Sequence, residues 1–166
     1  MANVQAAIDA VMRQEDSTLS GRVTEDAGGR TRYGIAEKFH PDLTASLFYT
    51  SMGSIAAQEI AEAIYLIQYA EPLCLEEIPD QGVANLLLSI GVNCGVMTAA
   101  RMLQEVLKVN GDGRIGILTL YALDSATPAD VLGGLRGRAA EHYEALIEEH
   151  PGWAKYRNGW MARIGA

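Results

Sequence analysis

The sequence predicts a mainly α protein with one small loop or hairpin near residues 16–34. Three observations carry that expectation. Apolar residues recur at helical spacing along most of the chain. The early Gly, Ser, Thr and Asp residues are concentrated between positions 16 and 34, at the end of the first periodic stretch. Pro41, Pro72, Pro128 and Pro151 stand at the edges of periodic stretches rather than inside them.

The elements follow in order. Val4, Ala7, Ile8 and Val11 share one helical face, and that helix ends near Gln14 and Glu15. Alternation around Thr18 to Val23 suggests a hairpin within the loop that follows. Tyr33 to Phe39 is expected to be a short helix stopped before Pro41. Ser54 is the expected cap of a long amphipathic helix through Ile55, Ile60, Ile64, Ile67 and Gln68, broken at Pro72. Asp80 caps QGVANLLLSIGVNCG, a segment apolar nearly all round and therefore buried on several sides. A further helix is expected from Val96 to Val109, then a turn at NGDGRIG. Thr127 with Pro128 at the first helical position opens the last long helix, which ends near His150. The tail GWAKYRNGWMARIGA holds both tryptophans.

The composition bounds the function. A chain of 166 residues, 49% apolar and 20% charged, suits one compact domain with a real core, built of one or two lobes. A net charge of −8 speaks against a nucleic-acid binder and against simple attraction to anionic membranes. The longest apolar run, Val83 to Ile90, is interrupted by Asn85 and Ser89, so no membrane span is expected. The first residues lack a basic stretch followed by an apolar one, which predicts synthesis in the cytoplasm without a conventional signal peptide. Cys74 and Cys94 have no CxxC spacing and are expected to be buried free thiols.

The densest cluster of informative residues is Gly28, Gly29, Thr31, Tyr33, Gly34 and Ile35, with Glu15 upstream. Adjacent glycines permit positive φ and close backbone approach. A helix ending in an acid, a polar loop and a tight glycine turn together place carboxylates across a sugar-binding cleft. Gly29 and Tyr33 are candidates for its lining.

Several blocks resemble a known family. Glu15 near the end of the first helix, DAGGRTRYGIA, YAEPLCLEEIP and LLLSIGVNCGVMTAARMLQ are similar to the phage and bacterial N-acetylmuramidases of glycoside hydrolase family 108. NGDGRIGILTLYAL and NGWMARI resemble the small peptidoglycan-binding region that usually follows. The resemblance implies a lysozyme-like helical catalytic lobe over residues 1–94. A helical peptidoglycan-binding lobe over residues 95–166 would pack on it. Three differences stand out: Asp16, Ser17 and Thr18 follow Glu15 where the family usually has an EGGY-like stretch, and the loop to Gly28 is about two residues longer. Ser89 also replaces an acid common in the buried helix.

Breaking a glycosidic bond requires an acid for the leaving oxygen and a carboxylate, or a carboxylate-bound water, on the other side. Glu15 is the candidate acid. The order Glu15, Asp26, Thr31 is similar to that of phage-type lysozymes, which makes Asp26 a candidate base and Thr31 a candidate holder of water. Asp26 is equally readable as a turn residue, and Glu25 competes for the role of base. On the substrate side stand Tyr33, Gly29, Gln68 and Asn93; Asn93 serves either an N-acetyl group or the end of its own helix. Trp153, Tyr156 and Trp160 are either sugar-stacking or packing residues.

No metal or cofactor is expected. NGDGRIG is not an EF-hand, because Lys108 and Thr119 occupy the first and closing ligand positions. His142 and His150 lack zinc-site spacing. The expected activity is a muramidase cleaving the β-1,4 bond between N-acetylmuramic acid and N-acetylglucosamine. Its role would be that of a phage endolysin, or of a secreted antibacterial effector with an immunity protein and delivery machinery as partners. It would act in the periplasm or cell wall after passage through a holin or secretion system. The alternative is a catalytically weak or inactive peptidoglycan-binding protein on the same scaffold.

Overall fold

The computed structural model describes residues 1–26 and 29–165, the side chain of Asp26 excepted. Gly28 therefore lies outside the described residues. The architecture is a set of helices around one core with a small sheet at one edge. Helix α1 (Val4–Glu15) is capped by the Asn3 side chain, which accepts from Ala6 N at 3.0 Å. It buries Ala7, Ile8, Val11 and Met12, the apolar stripe the sequence predicts.

Strands β1 (Thr24–Asp26), β2 (Gly29–Arg32) and β3 (Ile35–Ala36) form an antiparallel meander. The register sets Thr24 opposite Thr31 and Arg32 opposite Ile35. Two expectations are corrected here. Tyr33 to Phe39 is not a helix: Tyr33 (φ +50°) and Gly34 (φ +78°) are consecutive left-handed residues, which a right-handed helix does not accept but a two-residue hairpin turn requires. The hairpin also lies later than Thr18–Val23. Residues 16–23 form an irregular loop organised by the Asp16 side chain.

Helix α2 (Ser54–Tyr65) starts at Ser54, with Gly53 as its cap, and widens into a π-helical turn over Leu66–Ala70. Its buried stripe is Ala57, Ala61 and Tyr65, whereas Ile55 and Ile67 face solvent. Small residues at i and i+4 let this helix approach the core closely, with Ile60 and Ile64 packed at the edge of that contact. Helix α3 (Gln81–Cys94) is capped by Asp80, whose carboxylate accepts from Val83 N at 2.9 Å, and is buried from Leu86 through Gly91. It packs between α1 and helix α4 (Val96–Val106). α4 ends short of Val109 because Lys108 turns left-handed (φ +57°).

The NGDG loop closes around the buried Gln104. Its amide donates to Asp112 at 2.7 Å and its oxygen accepts from Gly113 N at 2.8 Å. Helices α5 (Ile117–Asp124) and α6 (Pro128–Glu149) follow, and the tail adds α7 (Arg157–Ile164) after a 3-10 stretch at Pro151–Tyr156. Trp160 stacks on the buried Tyr143 with ring centroids 5.1 Å apart, which ties the tail to α6. Both cysteines are free thiols, only half-buried rather than fully enclosed. Among the described residues no helix is long and apolar enough to cross a membrane.

Candidate active site

Glu15 stands at the last position of α1, where helix end, sheet turn and tail converge. A cavity of about 450 Å³ opens there, lined by Glu15, Asp16, Ser20, Arg22, Thr31 and Tyr33 among others. That volume is in the range of small-ligand sites. The end of α1 is fixed from below: Ser89 Oγ on α3 donates to Gln14 Oε1 at 2.9 Å. Ser89 thus anchors the residue before Glu15.

The turn between β2 and β3 presses on Glu15 from the side. A Cβ added to Gly34 would lie 2.7 Å from Glu15 Cγ and 2.4 Å from Tyr65 Oη, so only glycine fits. Tyr65 Oη donates to Tyr33 O at 3.1 Å, and Tyr33 Oη donates to Ser54 O at 3.2 Å. Burial pushes the Tyr65 phenol well above its ordinary value, and the nearby Glu15 adds to that shift. Tyr33 is 2% exposed, so it builds the wall of the cavity and holds the sheet to α2.

Asp16 organises the floor. Its Oδ2 accepts from Ser20 Oγ at 3.0 Å and Gly21 N at 2.9 Å, and its Oδ1 accepts from Thr18 Oγ1 at 3.1 Å. Burial favours the neutral carboxyl. The hydrogen bonds from Gly21, Ser20 and Thr18 outweigh it and hold Asp16 below its ordinary value. The residues Asp16-Ser17-Thr18 therefore open an ordered loop directly after Glu15. Arg32, 6% exposed, locks this loop from behind by donating to Gly21 O at 2.7 Å, Phe48 O at 2.8 Å and Met52 O at 2.9 Å.

The tail reaches the same place. Arg163 Nη1 donates to Glu15 Oε1, and the two side chains are 25% and 22% exposed. The hydrogen bond to Glu15 raises the Arg163 guanidinium above its ordinary value. Arg163 is not singled out by sequence patterning, and Asp16 stands out only as a departure after Glu15. NGWMARI contains Arg163 without marking its partner.

Of the residues the sequence nominates, Glu15, Thr31 and Tyr33 meet at one cavity. Asp26 has its backbone opposite Gly29 at the hairpin end, and its side chain lies outside the described residues. Glu25 is exposed and pairs across to Arg30. Gly29, Gln68 and Asn93 are not among the lining residues. Gly29 has open space around it, Gln68 is exposed in the π turn, and Asn93 Nδ2 donates back to Ser89 O at 2.9 Å. Of the three tail aromatics, Trp160 packs, whereas Trp153 and Tyr156 remain 40% and 48% exposed. Among the described residues no group of three or more His, Cys, Asp and Glu side chains is placed to share a metal ion.

Comparison with known proteins follows this geometry. The family model for glycosyl hydrolase 108 matches residues 8–95, more than half of the chain. The chain belongs to the glycosyl hydrolase 108 family. Residues 98–165 match a second model, described as a predicted peptidoglycan domain. The solved structure of SagA from Brucella abortus is similar in fold, with a TM-score of 0.71 and 23% identity. That likeness covers 98% of this chain and 89% of SagA. No curated protein matches the sequence. As a glycosyl hydrolase 108 member, the chain carries its Glu15 cavity in the hydrolase-matched part and Arg163 in the peptidoglycan-matched part. Together the two matches support a peptidoglycan hydrolase of glycoside hydrolase type.

Proposed function

We propose that the protein is a lysozyme-type muramidase, cleaving the β-1,4 bond from N-acetylmuramic acid to N-acetylglucosamine with Glu15 as general acid. The observation that carries this reading is the position of Glu15. It is the last residue of α1, at a sugar-sized polar cavity, with its side chain largely covered. In the proposed reaction Glu15 gives its proton to the glycosidic oxygen as the C–O bond breaks. A water, deprotonated by Asp26 and steered by the Thr31 hydroxyl, adds to the anomeric carbon from the opposite face. One water is consumed and a reducing N-acetylmuramic acid end appears; Asp26 then releases its proton to solvent while Glu15 regains one, which resets both carboxyls. This route inverts the anomeric configuration.

The two matched parts support a division of labour, with residues 1–94 holding the chemistry and 95–166 contributing the hold on the wall. The substrate lies beyond the cytoplasmic membrane, so a holin or secretion apparatus belongs to the same reading, with an immunity protein in the latter case. Expression with and without a periplasmic leader tests delivery: lysis is expected only with the leader, and lysis without it would refute a need for delivery.

The activity is tested by digesting purified peptidoglycan and reading the fragments by mass spectrometry after borohydride reduction. Reduced N-acetylmuramic acid ends are the expected result. Reduced N-acetylglucosamine ends or anhydro-sugars would assign a different cut. Intact glycan that nonetheless pellets the protein would leave a wall-binding protein without activity. That last outcome has a specific observation behind it: the loop directly after Glu15 is tied up by hydrogen bonds to Asp16 from Thr18, Ser20 and Gly21.

A further inference from the structure

The geometry points to Arg163 as a positioning residue for Glu15, so that the C-terminal helix completes the active site rather than serving only as a hold on the wall. This inference rests on Glu15 being the general acid. Glu15 belongs to the part of the chain matched as hydrolase and Arg163 to the part matched as peptidoglycan domain. The contact between them spans 148 positions in sequence.

Both partners are held before they meet. Arg163 is followed by Ile164, 2% exposed, whose carbonyl accepts from Arg136 Nε at 3.0 Å, and by Gly165, which ends α7 in the left-handed conformation. One turn earlier, Trp160 stacks on Tyr143. Glu15 is confined by Gly34 and Tyr65 on one side and by the Ser89–Gln14 bond beneath it. Among the described residues, the only hydrogen bond to its carboxylate comes from Arg163, and it is made to Oε1. That commits Oε1 and leaves Oε2 as the oxygen that carries the proton toward the cavity.

Several elements bring polar groups to the surroundings of the pair. Arg163 comes from α7, Tyr65 from α2, Tyr143 from α6, Cys94 from α3, and Asp16 and Arg22 from the loop beside the cavity. Of these, Arg163 is the cation bonded directly to Glu15.

The test measures kcat and KM for the full chain and for Arg163→Gln and Arg163→Lys, on soluble peptidoglycan fragments. Arg163→Gln is expected to lower kcat by roughly 10- to 100-fold with KM within about twofold, since misorientation of a catalytic group acts on the chemical step. Arg163→Lys should recover only part of kcat at unchanged KM, because a point charge lacks the planar fork.

Wild-type kcat in Arg163→Gln would overturn the inference. So would a loss carried by KM with kcat near wild type, which marks a merely structural arginine. If Arg163→Gln melts below the assay temperature, Arg163→Lys decides: unchanged kcat overturns the inference, and a fall of about 5-fold or more at unchanged KM supports it. Glu15→Gln separates this from the underlying reading, since an active Glu15→Gln refutes the acid itself whatever Arg163 does.

Discussion

Gly34→Ala is the substitution whose consequence the structure fixes most tightly. Gly34 sits at φ +78°, and a Cβ there would lie 2.4 Å from Tyr65 Oη, 2.7 Å from Glu15 Cγ and 3.1 Å from Glu15 Cβ. The left-handed backbone alone costs a non-glycine residue roughly 1–2 kcal/mol. Relieving the clash also requires Tyr65 to give up its buried bond to Tyr33 O, at about 1–3 kcal/mol. The loss of roughly 2–5 kcal/mol corresponds to a fall in Tm of about 5–15 °C for a chain of this size.

Because the same Cβ displaces Glu15, hydrolysis should fall by about 100-fold even where the variant stays folded. Thermal unfolding followed by circular dichroism, with wall hydrolysis below the transition, measures both effects. Adding Tyr65→Phe removes the nearest clashing atom, so the double variant should be more stable than the sum of the single losses by about 1 kcal/mol. Gly137→Ala is the control, since no atom lies within 4 Å of its Cβ position in the exposed face of α6; it should stabilise by about 0.5–1 kcal/mol. Wild-type melting and wild-type rate in Gly34→Ala would refute this account of the turn.

Three further predictions concern the supports of the site. Ser89→Ala removes the bond to Gln14 and should cost about 0.5–1.5 kcal/mol in urea unfolding, with a smaller loss of activity than any change at Glu15. Arg32→Leu strands the carbonyls of Gly21, Phe48 and Met52 and should cost more than about 3 kcal/mol, with early proteolytic cutting of residues 16–23. Glu37, hydrogen-bonded by Arg30 and Thr44, is held at about 2 against an ordinary 4.5. Its folded value is the lower one, so its contribution is complete above the ordinary value and lost as pH falls toward about 2. Unfolding measured across that window should show a shallower acid-side slope in Glu37→Gln than in wild type.

What the sequence could and could not show follows from the range of each interaction. Helix α1, the Asp80 cap and the buried α3 are local patterns of spacing and capping, legible from residues a turn apart. The first hairpin falls within the predicted stretch 16–34, but the turn after it reads as a helix because its decisive feature is conformational: Tyr33 is left-handed beside Gly34, and Tyr33 carries no sequence mark of positive φ. The buried face of α2 was legible in part: Ile60 and Ile64 pack against the core, but its fully buried residues are Ala57, Ala61 and Tyr65, while Ile55 and Ile67 face solvent.

At the site, Glu15, Thr31 and Tyr33 were legible through motif order. Asp16 was visible only as a departure from the family pattern, although Thr18, Ser20 and Gly21 within five residues supply its hydrogen bonds. Arg163 is separated from Glu15 by nearly the whole chain, and no local pattern encodes so distant a pairing.

The most direct test of the central claim compares the wall-cleavage rates of wild type and Glu15→Gln, two proteins of nearly the same shape with equal access to the cavity. Loss of a general acid should lower the rate by about 100- to 10,000-fold while peptidoglycan binding and melting temperature stay close to wild type. A folded Glu15→Gln that releases fragments at a rate near wild type would contradict the account and move the chemistry away from the end of α1.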